Sequence, residues 1–291
     1  MGRGQPSAAP PTDAGHERRL GGFGGEPHDC CCAEQTLFRL ATGTRSYVGS
    51  MTRTTAAFLL TVAAAVGMGP AAATVADGTQ AGSTQIAQAD FAHPRANPWF
   101  PLRPGTTTIL RGTDEGEHLR ERVHVTYRTK VIEGVRTRVV TDVLRRANGR
   151  LAERTTDWYA ADGAGNVWYF GEATATYDEK GHLESREGSW QAGLHGARAG
   201  MIMPARPHPT QAFRQEFLRG HAEDQAWIVG NSTRTKTPMG TFGHVVRSFE
   251  WTRLEPGVLS LKLYAPGVGI VKERDMSGGS ETFHVVAVYR P

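Results

Sequence analysis

Four groups of residues in this 291-residue chain carry side chains that could do chemistry. Arg128, Lys130, Arg136 and Arg138 flank Glu133-Gly134, so a hairpin there gathers cationic side chains on one face. Directly opposed like charges repel. Such a face splays its side chains into water, borrows acidic neighbours, or takes an anion or an anionic lipid. The six tryptophans supply large apolar rings. Exposed rings on a sheet stack on sugars or line an apolar pocket, whereas rings facing a core only fill it. Trp158, Trp168, Phe170 and Trp190 are the candidate ligand contacts. Trp190, in the loop-like Gly188-Ser-Trp-Gln-Ala-Gly193, is the ring least committed to a core.

His221-Ala-Glu223-Asp224 places three potential metal ligands within four residues. Metal sites draw on several elements, and no second cluster is spaced to complete a shell. The segment therefore reads as a polar loop before Ala226-Trp-Ile-Val229, and no metal is expected. Asp162-Gly-Ala-Gly-Asn166 and Asp178-Glu-Lys-Gly181 lack the alternating acids and distal Glu of a calcium loop and fit β-turns. No G-x-S-x-G elbow, H-E-x-x-H pair, P-loop or dinucleotide fingerprint occurs, and no cofactor is implied. Carboxylates are plentiful, but spacing does not say which two are neighbours. The residues lean toward binding rather than catalysis, with carboxylate-dependent hydrolysis left open.

These residues have to be positioned by strands. From Thr106 onward, turn markers recur at Gly112–Gly116, Glu133-Gly134, Asn148-Gly149, Asp162–Asn166, Asp178–Gly181, Glu255-Pro-Gly257, Pro266-Gly267 and Ser277–Gly279. β-branched and aromatic runs lie between them, which is the pattern of an all-β antiparallel domain over residues 98–291, a sandwich or a curved half-barrel sheet. Gln211 to Leu218 reads as a short helix or a strand. Around Glu133-Gly134 a three-residue loop, Ile132-Glu133-Gly134, keeps the apolar faces together. It pairs Tyr127 with Val139 and Val123 with Val143, and sets Lys130 opposite Arg136 and Arg128 opposite Arg138. The Asn148-Gly149 turn then brings Trp158 beside Val139. Trp158-Tyr159 and Val167-Trp-Tyr-Phe170 carry aromatics on both faces, as strands do in the middle of a sandwich or in a sheet wrapped around something.

The first 73 residues differ. They hold Cys30, Cys31 and Cys32, the only cysteines, and no tryptophan. From Met51 a basic start (Arg53), an apolar core of 11 residues (Ala56 to Val66), a breaker (Gly67, Pro70) and Ala71-Ala-Ala73 have the anatomy of a secretory signal peptide. Cleavage is expected near Ala73 or Ala76, giving a secreted, cysteine-free chain with no stable membrane span. Residues 1–50 then read as a mis-annotated or disordered extension, 51–73 as the signal and 74–97 as a flexible lead-in. The 28 Arg against 5 Lys suggest a GC-rich coding sequence, in which spurious upstream frames are common. Apolar residues at 39% and charged residues at 21% exclude a fully disordered chain and a multispanning membrane protein. A net charge of +4 is too small to make nucleic acid a partner.

Asn97-Pro-Trp-Phe-Pro-Leu-Arg-Pro-Gly105, Gly165-Asn-Val-Trp-Tyr-Phe-Gly-Glu172, Gly188-Ser-Trp190 and Leu263-Tyr-Ala-Pro-Gly-Val-Gly-Ile-Val-Lys272 together resemble a family of exported, uncharacterised bacterial β-proteins common in actinobacteria. The last motif also resembles the closing strands of exported proteins suspected of a half-barrel like that of lipoprotein carriers. The resemblance implies no activity and no catalytic residues. Tyr177-Asp-Glu-Lys-Gly-His-Leu-Glu-Ser-Arg-Glu-Gly188 resembles one unit of a repeated β-hairpin motif, and a single copy makes no repeat protein. The expected function is binding of an apolar small molecule, a lipid, an envelope component or a partner protein. The alternatives are a secreted hydrolase acting on carbohydrate and a purely structural envelope protein.

Overall fold

The structure, a computed structural model, describes residues 88–291. The expected extension, signal peptide and most of the lead-in lie outside the described residues. A 3-10 turn at Gln88–Phe91 precedes β1 (Thr107–Asp114), β2 (Glu117–Ile132), β3 (Val135–Arg146), β4 (Leu151–Ala161) and β5 (Val167–Tyr177). There follow β6 (Leu183–Ser185), β7 (Trp190–Gln191), β8 (Arg198–Met203), β9 (Ala212–Arg214) and β10 (Glu216–Phe217). The chain ends with β11 (Gln225–Thr237), β12 (Gly240–Trp251), β13 (Leu259–Ala265), β14 (Gly269–Ser277) and β15 (Thr282–Tyr289). The turn markers fall at the joints between strands. The segment that read as helix or strand is strand, β9 and β10. Among the described residues no helix is long and apolar enough to cross a membrane.

The β2–β3 hairpin corrects one expectation. Its loop has two residues, not three: Ile132 pairs with Val135, and Glu133 and Gly134 both have positive φ (47° and 77°). Such turns match the twist of the strands they join. The faces stay sorted because the irregularity sits inside β2. Val125 pairs with Val140 and Thr129 with Arg138, so Thr126, Tyr127 and Arg128 together oppose Val139. The bulge is held by side chains. Thr126 Oγ1 donates to the Val139 carbonyl (2.7 Å), and Arg138 Nη1 donates to the Tyr127 carbonyl (3.0 Å) and, at 3.4 Å, to those of Thr126 and Arg128. Treating β2 as regular hid this. Trp158 does pair with Val139 across β3 and β4, as expected.

All strands join one antiparallel sheet, whose path runs β10-β8-β5-β4-β3-β2-β1-β15-β14-β13-β12-β11-β9, with β6 and β7 added to β5. The two ends of that path, β10 and β9, are neighbours in the chain, separated only by Gln215. One short segment therefore pairs with β8 on one side and β11 on the other and nearly closes the sheet into a barrel. Closure needs Gly200 on β8: a Cβ there would lie 2.3 Å from the Gln215 carbonyl oxygen. Gly200→Ala is expected to destabilise the fold by about 2 kcal/mol through forced backbone displacement. Guanidinium unfolding measures it, and an unchanged midpoint would remove Gly200 from the closure.

Side chains alternate between inside and outside along each strand. On β4 the inward positions run Glu153, Thr155, Asp157, Tyr159. At the Glu153 end the interior is capped by Leu110, Leu119, Leu144, Ala152 and Phe283. Phe283 fits there because its cross-strand neighbour is Gly112, where a Cβ would sit 2.7 Å from the ring. At the Tyr159 end Val167, Ile228, Val246 and Tyr264 form the other cap, with Trp99, Phe100 and Leu102 laid against it by the segment before β1. Outside, Val139, Trp158 and Phe170 belong to a third cluster, on which Phe91 packs edge-on against Phe170 (5.6 Å), and which Trp190 joins through its edge-on contact with Tyr169 (5.4 Å). The both-face aromatics of β4 and β5 therefore mark a sheet wrapped around an interior and covered outside as well.

Candidate functional site

The residues singled out by type lie mostly away from the barrel interior. Trp158 and Phe170 are buried in the outer cluster, and Trp190, paired with Glu172, is buried against Tyr169. Trp168 is half-buried, and its Nε1 donates to Asp162 Oδ2 (2.9 Å). Lys130 lies over the Trp158 ring (3.3 Å to the centroid) and donates to Gln191 Oε1 (2.7 Å). In the actual register Lys130 faces Thr137, Arg138 faces Thr129 and Arg136 faces Val131, so the opposed cations do not arise. Arg128 and Arg136 are exposed. Arg136 and Arg138, with Arg95 and Arg103, line an outer groove of about 640 Å³.

The acidic loops do local work. Asp162 Oδ1 accepts from the backbone N–H groups of Ala164, Gly165 and Asn166, and Oδ2 from Asn166 Nδ2 and Trp168 Nε1. Burial works to raise its carboxyl, but these bonds outweigh it and hold the group below the usual range. Glu223 pairs with Arg253 and accepts from the Gly220 N–H (2.8 Å). Among the described residues no three His, Cys, Asp or Glu side chains are grouped to hold a metal.

The arrangement with chemical consequence is inside. The sheet lines a cavity of about 230 Å³ that is partly open to solvent, more than ten times the roughly 10–15 Å³ that one water needs on the same measure. One part of its wall is apolar: Phe100, Leu102, Val123, Val125, Val140 and Ile202. The rest carries nine carboxyl groups and a single lysine. Glu121 comes from β2, Asp142 from β3, Glu153 and Asp157 from β4, and Glu172 from β5. Glu216 lies on β10, Asp224 just before β11, Glu250 on β12, Lys262 on β13 and Glu273 on β14. Sequence reasoning missed this belt. Its trace is the acid at every fourth position of β4, Glu153 and Asp157, on the inward phase of a strand whose other inward residues are Thr and Tyr.

The belt divides electrostatically. Lys262 Nζ lies 3.3 Å from Glu250 Oε2 and 3.1 Å from Glu273 Oε1. Glu250 also accepts from Tyr264 OH and Ser248 Oγ, each at 2.8 Å. Burial pushes the Glu250 carboxyl up, but Lys262 and these donors prevail and hold it below its ordinary value. The β4–β5 wall lacks such a cation. Burial raises Glu153 to about 8, with Asp142 and Asp157 adding repulsion. Burial raises Asp157 to about 7, with Asp142 adding, although Tyr169 OH (2.7 Å) and Tyr159 OH (3.4 Å) donate to its Oδ1. Glu172, directly opposite Asp157 on β5, is pushed well up by burial and by Asp157. Glu121 and Asp142 are hydrogen-bonded to each other, and burial raises both. At neutral pH this wall holds protons. Its neutral carboxyls can donate and its ionised ones can accept.

No protein-family model matches the sequence, and no curated protein matches it. Among solved structures, a Bacteroides fragilis protein predicted to be exported, with a YmcC-like fold, superposes with a TM-score of 0.41 at 12% identity. A predicted lipoprotein of Parabacteroides distasonis superposes with a TM-score of 0.38 at 11% identity. Each match covers 67% of this chain and 100% of the other.

Proposed function

We propose that the chain is an exported β-barrel binding protein that encloses one small molecule and does not transform it. Export rests on the signal-peptide anatomy from Met51. Binding rests on one observation: strands from all around the sheet line a common cavity of about 230 Å³. A barrel of this size either fills its interior with side chains or keeps room for a ligand. The lining narrows the ligand. Apolar side chains on part of the wall and carboxyls on the rest suit a small amphipathic molecule better than a bare hydrocarbon. Trp158 packs outside the barrel, where it supports the sheet rather than the ligand, and Trp190 is buried against Tyr169 behind the cavity wall. Exposed Arg128 and Arg136 leave the outer hairpin face open to an anion or envelope component as a secondary contact.

The hydrolase alternative draws less support. A glycosidase sets its two carboxyls roughly 5–9.5 Å apart across the scissile bond. Glu121 and Asp142 are hydrogen-bonded to each other, so that pair is not held apart as a glycosidase pair would be.

Mass spectrometry of the protein purified from its own culture medium tests the proposal. The denatured mass is expected to begin near Thr74 or Asp77. The native mass is expected to carry an extra component that disappears on denaturation. A chain that includes residues 1–50 would overturn export, and a bare native mass would overturn enclosure.

A further inference from the structure

The barrel sorts its charges between two neighbouring spaces. Phe100, Pro101, Leu102 and Tyr159 line both the cavity and the outer groove, so the segment before β1 lies between them. That segment is pinned at both ends. Asn97, 2% exposed, donates to the carbonyls of Gly165 (2.9 Å) and Pro204 (3.0 Å), and the Gly105 N–H donates to the Val125 carbonyl (2.7 Å). On β3, Val140 and Asp142 line the cavity, and the same strand phase continues into the groove with Arg138 and Arg136. The cavity takes the carboxyls. The groove lining holds Arg95, Arg103, Arg136 and Arg138 and no Asp or Glu.

None of these four arginines makes an ion pair among the described residues. Arg138 is half-buried and fixed, because its Nη1 is spent on the carbonyls of the β2 bulge, and no carboxylate answers its charge. Arg95, Arg103 and Arg136 are exposed. Like charges gathered in one groove repel one another unless an anion is shared between them. The groove, at about 640 Å³, falls within the roughly 300–1,000 Å³ of small-molecule sites. Phe91, Phe100 and Leu102 give it an apolar side.

We propose that this groove binds one amphipathic anion, a phosphate monoester on an apolar chain or ring, with the phosphate shared among the four arginines and the apolar body on Phe91, Phe100 and Leu102. Guanidinium forks bond phosphate and carboxylate oxygens two at a time. The double charge of a phosphate answers a group of guanidiniums better than the single charge of a carboxylate. An inorganic anion would leave the apolar side wet, and a neutral molecule would leave the guanidiniums unanswered. The proposal deepens the secondary anion contact named above. It keeps Arg136 and drops Arg128, which does not line the groove. It does not depend on what the cavity holds.

The test is titration calorimetry of the full chain with octyl phosphate, octanoate, octanol and inorganic phosphate. Octyl phosphate is expected to saturate with a Kd of about 0.1 mM or tighter, with octanoate severalfold weaker and inorganic phosphate at least about tenfold weaker. Raising the salt from about 0.05 M to about 0.5 M is expected to weaken octyl phosphate severalfold. Arg136→Gln and Arg95→Gln are each expected to weaken it at least about fivefold. Both side chains are exposed, so both variants should fold. Arg234→Gln, exposed on β11 and outside the groove lining, is expected to leave it unchanged. Octyl phosphate binding unmoved by Arg136→Gln and Arg95→Gln, or weakened as much by Arg234→Gln, would overturn the groove site. Octanol bound as tightly as octyl phosphate, or no binding of octyl phosphate, would overturn it as well. Octanoate bound as tightly would overturn the phosphate head. Any of these failures with a ligand still seen in the native mass leaves the cavity reading standing. A bare native mass with octyl phosphate held by the arginines would bring down the cavity reading alone.

Discussion

Raising the pH from 5 to 9 is expected to destabilise the folded barrel by about 4 kcal/mol through Glu153 alone, and to lower its Tm by about 10 °C. Glu153 titrates at about 8 in the fold against an ordinary 4.5, because it is buried away from any cation. Between those two values the folded chain holds a proton that the unfolded chain has lost. A state that binds more protons is favoured at low pH, so stability is fullest below about 4.5, falls as pH rises, and levels off above about 8. Asp157, raised to about 7 by burial and by Asp142, adds to the same slope over its lower part. Glu172, Glu216 and Asp224 are pushed upward by burial as well and act in the same direction.

Other groups mark the edges of this window. Glu250, Glu223 and Asp162 are held below their ordinary values, so their contributions are lost only as pH falls through the acid range. Lys262 is held above its ordinary 10.5, so its contribution persists until strongly alkaline pH. His124 and His284 are lowered chiefly by burial and pull the other way, gaining stability as pH rises through about 6.5. Both remain partly solvated, and the interior acids outweigh them. Thermal unfolding at pH 5, 7 and 9 reads the slope, and Glu153→Gln should flatten most of it. A barrel equally stable at pH 5 and 9 would mean that these carboxyls are already ionised at neutral pH.

The strands were legible in the sequence because their signals are local. Glu133-Gly134, Asn148-Gly149 and Pro266-Gly267 act within a few residues, and so does the alternation between them. What was not legible depends on partners far apart in the chain. The bulge at Thr126–Arg128 is held by Arg138, which a regular register places elsewhere. Barrel closure depends on Gly200 meeting the Gln215 carbonyl, a contact with no local pattern. The acid belt draws its residues from seven strands and the residue before β11, with no motif in any one of them. Trp158 and Phe170 attracted attention because large rings dominate binding surfaces, yet their strand phase points them outward. The inward phase of the same strands carries Asp157 and Glu172, which drew none. Alternation gives two faces, and only strand order says which one is enclosed.

Lys262→Met is expected to cost about 3–5 kcal/mol at pH 7, the usual penalty for removing one partner of a buried ion pair. Lys262 is the single cation of the cavity wall, and Glu250, 2% exposed, is the carboxylate it keeps ionised. Without the ammonium, Glu250 retains only neutral donors, Tyr264 OH, Ser248 Oγ and the Gln215 side chain. It must then stay charged in a site of low dielectric or take up a proton. Glu250→Gln alone is expected to cost less, because Lys262 still has Glu273 at 3.1 Å. The double variant Lys262→Met with Glu250→Gln is expected to recover more than half of the Lys262→Met loss, since no unpaired charge then remains on that side. Guanidinium unfolding of the four proteins in a double-mutant cycle isolates the pair from its surroundings. The single variant should also lose less at pH 4.5 than at pH 7, because protonation relieves Glu250. A Lys262→Met barrel within about 1 kcal/mol of the parent at both pH values would show that water already carries the Glu250 charge. The contrast between a Glu250 held ionised by Lys262 and the raised acids of the β4–β5 wall would then disappear.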